Sequence, residues 1–176
     1  MKIAIYGRPV NLNQIQLAEA LVNVLKQNDV DVVVHSSYLI FLRQHLPGFK
    51  ELPVFSTHEE IREGVDFLFS IGGDGTLLDS VCVVGKKEIP ILGLNTGRLG
   101  FLATVATDKI EDAIDQLAKG NYQIESRSLL SLSSSKKLFH GANFALNEFT
   151  IHKKDTSSMI TVHTYIDGKY LNSYWA

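Results

Sequence analysis

The chain has 176 residues, of which 17 are Lys or Arg and 19 are Asp or Glu, giving a formal net charge of −2. Hydrophobic residues make up 45% and charged residues 20%, a globular composition with room for one domain, or one domain and part of a second. The near-neutral charge excludes the broad basic footprint of a duplex nucleic-acid binder, and the single cysteine, Cys82, excludes a disulfide framework or a Cys-rich zinc site.

No apolar run reaches the roughly 20 residues of a membrane helix. The start, Met1 to Gly7, is too short and too soon broken for a signal peptide. A soluble protein of the cytoplasm is expected, with neither nucleic acid nor membrane as a partner.

In chain order, Lys2 to Tyr6 reads as a strand ending at Gly7, and Gln14 to Lys26 as a helix with Leu17, Leu21, Val24 and Leu25 on one face. Val30 to His35 reads as a second strand and Tyr38 to Leu46 as a short helix. Thr57 and Glu60 fit a capping box that opens a brief helix up to Gly64. Val65 to Ile71 is nearly all apolar, as a strand covered on both faces should be. After Gly72-Gly73-Asp74-Gly75-Thr76 come a helix over Leu77 to Val84 and a strand over Pro90 to Leu94. Thr107 or Asp108 caps a further helix through Leu117, stopped by Gly120. Strands alternating with helices predict an α/β domain over residues 1–120, built on an open, mostly parallel sheet.

Beyond Gly120 the expected strands are 122–132, 138–146, 148–153, 159–166 and 169–174, without intervening helices. Asp167-Gly168 joins the last two as a hairpin. An all-β domain is therefore expected over residues 121–176. It is expected to be incomplete, because Trp175-Ala176 lies inside the last strand.

The glycine-rich turn carries the chemistry. Gly72, Gly73 and Gly75 let the backbone turn tightly and a ligand come close, and the N–H groups that open the next helix favour an anion. Phosphate is the natural ligand of such a turn. Asp74 is odd beside phosphate; it accepts a proton from an attacking hydroxyl, helps hold Mg²⁺, or simply caps the helix that follows. The chain contains no Gly-x-x-x-x-Gly-Lys-Ser/Thr and no Gly-x-Gly-x-x-Gly, so it is neither a P-loop NTPase nor an ordinary dinucleotide-binding dehydrogenase.

Gly72 to Thr76 resembles the signature shared by NAD kinases, lipid kinases of the diacylglycerol and sphingosine type and, more loosely, phosphofructokinases. Asn95-Thr96-Gly97-Arg98-Leu99-Gly100-Phe101-Leu102 and Ala145-Leu146-Asn147-Glu148-Phe149-Thr150-Ile151-His152 narrow the choice. Both are similar to NAD kinase segments, in the family's order. The resemblance implies the phosphofructokinase-like fold of that family and transfer of the γ-phosphoryl of ATP, or of polyphosphate, to the 2′-hydroxyl of NAD's adenosine ribose.

Carried over residue by residue, the resemblance makes Asp74 the proton acceptor and Gly75 the point of closest approach to substrate. Gly72, Gly73 and Thr76 would shape the phosphate turn. Asn147 would contact adenine, Glu148 ribose hydroxyls, and Asn95 and Phe101 would line the same cleft. Mg²⁺ or another divalent cation would accompany ATP, and the full-length protein would be a homo-oligomer through its β domain. The family's Asp-Gly pair and Thr/Gly/Ser-rich segment would lie past Ala176, so the isolated chain is expected to turn over poorly.

Plainer roles stand beside these. Asn95 can make a side-chain-to-backbone turn, Phe101 and Leu102 serve the core more than the cleft, and Asn147-Glu148 fits a bulge or edge-strand charge. Cys82 reads as a small core residue. The six histidines show no ligand spacing, so zinc is not expected. Two rival readings remain: a lipid or sugar-phosphate kinase with the same turn, and a truncated, non-catalytic nucleotide-binding fragment. A lipid or sugar site has no use for Asn147-Glu148.

Overall fold

The computed structural model describes residues 1–9, 13–57, 59–62, 64–97, 100–103, 105–136, 138, 143–154 and 158–175. They form two compact units, residues 1–146 and 147–176. Among the described residues no helix is long and apolar enough to cross a membrane.

The first unit is built on six strands: β1 (Lys2–Gly7), β2 (Asp31–His35), β3 (Val54–Phe55), β4 (Phe67–Gly72), β5 (Ile91–Asn95) and β6 (Val105–Ala106). Every pairing in this sheet is parallel, and the spatial order is β3-β2-β1-β4-β5-β6. The order reverses between β1 and β4, whose ends meet at Gly7 opposite Ile71. Parallel sheets take ligands in the crevice beyond such a reversal, at the carboxyl ends of the strands.

Successive strand residues turn to opposite faces of the sheet, and both faces are buried. Ile3, Ile5, Phe69 and Ile71 face a core shared with α1 (Asn13–Gln27), α2 (Ser36–Arg43) and, from the far end of the sheet, α4 (Ile110–Ala118). Leu17, Leu21 and Leu25 of α1 and Ile110 and Ile114 of α4 are all buried there, each worth about 1.5–3 kcal/mol relative to exposure. Ala4, Val33, Phe55 and Leu68 face the other way, toward Ile61 and Val84 of α3 (Asp74–Val84).

Several boundaries differ from expectation for local reasons. The capping box is real: Thr57 Oγ1 accepts the Glu60 N–H at 3.3 Å, and Glu60 Oε2 accepts the Ser56 N–H at 2.6 Å. It opens only a 3-10 turn, Glu60–Arg62. Thr107 caps nothing; its hydroxyl donates to the Asn95 carbonyl at 3.2 Å instead. Gly120, with φ of 74°, ends α4 as anticipated. Cys82 is exposed rather than in the core.

Of the strands expected past Gly120, 122–132 pairs only at β7 (Leu130–Ser131), antiparallel to β8 (Phe144–Ala145). Residues 148–153 form no strand, having no neighbour to share a ladder among the described residues. In the second unit, β9 (Thr161–Ile166) and β10 (Lys169–Trp175) form the expected hairpin. Asp167 and Gly168 have φ of 51° and 76°, the two positive values that a tight two-residue turn needs. His163 is satisfied within the hairpin, by the Ser173 hydroxyl at 2.6 Å.

Candidate active site

The chain leaves β4 at Gly72 and enters α3 directly after Gly73. Gly72 has φ of 155°, and a Cβ on it would run into the Thr76 hydroxyl, so the backbone itself requires glycine there. Gly73 and Gly75 are different. Both are exposed, and a Cβ on either would meet nothing within 4 Å among the described residues. Among the described residues no packing asks for glycine at 73 or 75; the room left there suits a body approaching from outside. Thr76 and Leu77 return their N–H groups to the Gly73 carbonyl at 3.0 and 3.2 Å. That closes the first turn and leaves the helix-opening N–H groups without partners inside the helix, which makes the turn an anion cradle.

Asp74 begins α3 but does not cap it: Gly73 is the N-cap and no side-chain bond is made there. The capping role is therefore corrected. The carboxylate reaches instead to the loop between β5 and β6, where Oδ2 accepts the Phe101 N–H at 2.8 Å. Oδ1 accepts those of Leu102 and Ala103, each at 3.0 Å. These donors, Ala103 first, then Phe101 and Leu102, hold the carboxyl below its ordinary pKa. A carboxylate offers about four lone-pair directions, so Oδ2 keeps one for a further hydroxyl.

Asn95 ties this loop down at both ends. It stands opposite Gly72 in the β4–β5 register and is buried. Its Oδ1 accepts the Gly97 N–H at 2.7 Å and its Nδ2 donates to the Ala103 carbonyl at 3.3 Å. The turn-making role is thus present. Gly93, one β-period earlier, lets the loop pack down, since a Cβ there would stand 2.7 Å from the Ala103 Cα. Phe101 is 95% exposed, which corrects its assignment to the core: the main chain is held by Asp74 and the ring is presented outward.

The described geometry brings together Gly72 to Thr76, Asn95 and Phe101. Arg98 and Leu99 lie outside the described residues. Asn147 and Glu148 belong to the second unit, exposed and outside any strand. Sequence reasoning passed over Arg8, whose guanidinium pairs with Asp79 of α3 just past the end of β1. Its only signal was a cation placed directly after the glycine that ends a strand.

Among the described residues no three His, Cys, Asp or Glu side chains gather where a metal ion could sit. Asp74 already accepts three N–H groups, and Asp79 bonds to Tyr6 and Arg8. The described residues therefore offer no cage of side chains for a divalent cation.

The family described as ATP-NAD kinase N-terminal domain matches residues 3–122. The chain is similar to NAD kinases of Cytophaga hutchinsonii, 44% identical over 179 residues, and Flavobacterium psychrophilum, 40% identical over 178. Each match takes in 100% of this chain and 60% of the relative, so the chain spans about three fifths of their length. Among solved structures it resembles yeast NADH kinase complexed with NADH, with a TM-score of 0.76 at 20% identity over 98% of this chain and 54% of that one. It also resembles an NAD kinase from Archaeoglobus fulgidus in complex with ATP, with a TM-score of 0.65 at 23% identity over 98% and 57%. At these identities the two structures speak for the fold.

Proposed function

The chain belongs to the NAD kinase family, and we propose that the protein it forms part of transfers the γ-phosphoryl group of ATP to the 2′-hydroxyl of NAD's adenosine ribose, making NADP. The observation that carries this is the Asp74 carboxylate, fixed by three N–H groups beside an open, glycine-lined helix start. In this reading Gly72, Gly73, Gly75 and Thr76 receive phosphate. The 2′-hydroxyl oxygen attacks the γ-phosphorus, its proton passes to the vacant position on Asp74 Oδ2, and the bond to the β-phosphate oxygen breaks with its electron pair leaving on ADP.

Positioning and charge stabilisation supply most of the acceleration in phosphoryl transfer. Asp74, held ionised, adds general-base help of about 10²–10⁴-fold. Mg²⁺ or a similar cation, arriving with ATP, would neutralise charge on the phosphates. Phe101 offers its exposed ring to the dinucleotide and Asn95 sets the loop that presents it. Asn147 and Glu148 serve adenine and ribose. Residues 1–120 act as the α/β domain and 121–176 as part of a β-rich domain, in a cytoplasmic homo-oligomer with no nucleic-acid partner.

The test offers ATP, or polyphosphate, to the full-length protein with NAD, fructose 6-phosphate and diacylglycerol side by side. NADP is the expected product. Phosphorylation of the sugar or lipid, with none of NAD, would favour a different kinase with the same turn. NAD binding that survives Asp74→Asn with no NADP from either form would favour a non-catalytic module.

A further inference from the structure

Tyr6, His35 and Ser56 stand side by side at the carboxyl ends of β1, β2 and β3. Between them and α3 lies a cavity of about 530 Å³. The cavity exists because α3 lies over β4 and β5, while among the described residues the outer half of the sheet is covered on that face by the 3-10 turn Glu60–Arg62, through Ile61. One wall is aromatic: the Tyr6 and His35 rings meet edge to face at 5.1 Å, and Phe55 backs His35 at 5.2 Å. Cys82 and Val83 of α3 form the facing wall. Asp79, also in the lining, accepts the Tyr6 hydroxyl at 3.3 Å and pairs with Arg8, which places a cation beside the cavity.

The Asp74 carboxylate faces the β5–β6 loop, so an acceptor hydroxyl approaches on the β5 flank of the turn. In-line transfer requires the donor on the opposite side of the phosphorus. That side is the β1 flank, at the reversal of strand order, where Arg8 and the cavity lie. We propose that this cavity receives the nucleoside of the phosphate donor, its base against Tyr6 and His35 and its phosphates running past Arg8 to the start of α3. The proposal rests on the kinase reading. About 12 Å of helix separates Asp74 from Cys82, a span for a polyphosphate chain rather than a direct contact. The volume suits a small planar ligand, and edge-to-face rings offer both stacking and edge contacts to a base.

Cys82 makes the site readable, because it is exposed and lines the cavity. Maleimide labelling of the purified protein, followed on the peptide carrying Cys82, should slow by about tenfold with saturating ATP. NAD alone and inorganic tripolyphosphate, which has no base, should leave it unchanged. In the full-length protein, Cys82→Trp should raise KM for ATP about tenfold while KM for NAD moves less than about twofold. His35→Ala, which removes a ring without adding bulk, should move KM for ATP in the same direction.

Equal protection by tripolyphosphate would overturn the nucleoside assignment. Normal NADP formation, with labelling indifferent to ATP and KM for ATP unmoved in both variants, would overturn the cavity and leave the kinase reading standing. Protection by ATP in a protein that makes no NADP would keep the cavity and overturn the kinase reading.

Discussion

Gly100 lies flat against the carboxyl group of Asp74: a Cβ at position 100 would stand 2.5 Å from the Asp74 Cγ. The two residues come from successive connections of the sheet, one following β4 and the other following β5. Their contact sets how near the loop's N–H groups come to the acid. Gly100→Ala must push either the carboxylate or the loop away. A displacement of about 1 Å at a reacting group can cost about a hundredfold in rate. The full-length variant should lose about that much kcat for NADP formation with little change in melting temperature, since the loop lies at the surface. Activity within about twofold of the parent would show that the contact is dispensable.

Asp74→Asn tests the acid directly. An amide keeps one acceptor oxygen but turns an N–H₂ toward at least one of the three donors. NADP formation should fall about 10²–10⁴-fold. The pH dependence has a definite sign. The folded pKa of Asp74 lies below the ordinary carboxylate value because Ala103, Phe101 and Leu102 donate to it. Ionisation therefore persists as pH falls through the ordinary carboxylate range, and the acid limb of kcat/KM assigned to Asp74 should lie beneath that range. A limb at or above the ordinary value would mean that the loop does not hold the acid in solution.

Asn95→Ala removes the Gly97 acceptor and the Ala103 donor together. Gly97 is exposed, so its freed N–H can turn to water, whereas leaving the buried Ala103 carbonyl unpaired costs about 1–3 kcal/mol; denaturant unfolding should show a loss of that order. The same variant should shift the acid limb of kcat/KM upward, because the loosened loop stops donating to Asp74. A stability loss with an unmoved pH profile would separate the anchoring of the loop from the state of the acid.

Gly7→Ala probes the other side of the strand reversal. A Cβ at Gly7 would stand 2.7 Å from the Tyr38 ring, which is wholly buried and donates its hydroxyl to the Gln14 carbonyl at 3.3 Å. Overpacking of this kind costs about 1–3 kcal/mol. A drop in melting temperature is expected, and Gly7→Ala with Tyr38→Leu should recover part of it.

The first unit was legible where apolar runs were long. β1, β2 and β4 are buried on both faces and read as continuous hydrophobic segments, and α1 shows its stripe. β3 and β6 were not foreseen, because a two-residue strand carries no periodicity. The strands expected over 122–132 and 148–153 illustrate the opposite failure: residues can suit a ladder, yet a ladder forms only where a partner strand is present. The β9–β10 hairpin was legible because Asp167-Gly168 fixes its own turn. In the site, the glycine turn was plain, but the partners of Asp74 were not. They are main-chain N–H groups, and a main-chain atom leaves no letter in the sequence. The pairing of Arg8 with Asp79, 71 positions apart, depends on β1 lying next to β4 and was equally out of reach.

The donors to Asp74 being main-chain has an evolutionary consequence. The side chain at 101, which is 95% exposed, can be exchanged without withdrawing its N–H from the acid; only proline would remove that donor. The outward ring of Phe101 can thus drift under selection for a different ligand while the chemical machinery beneath it stays intact. A loop of this kind lets recognition and reactivity diversify separately.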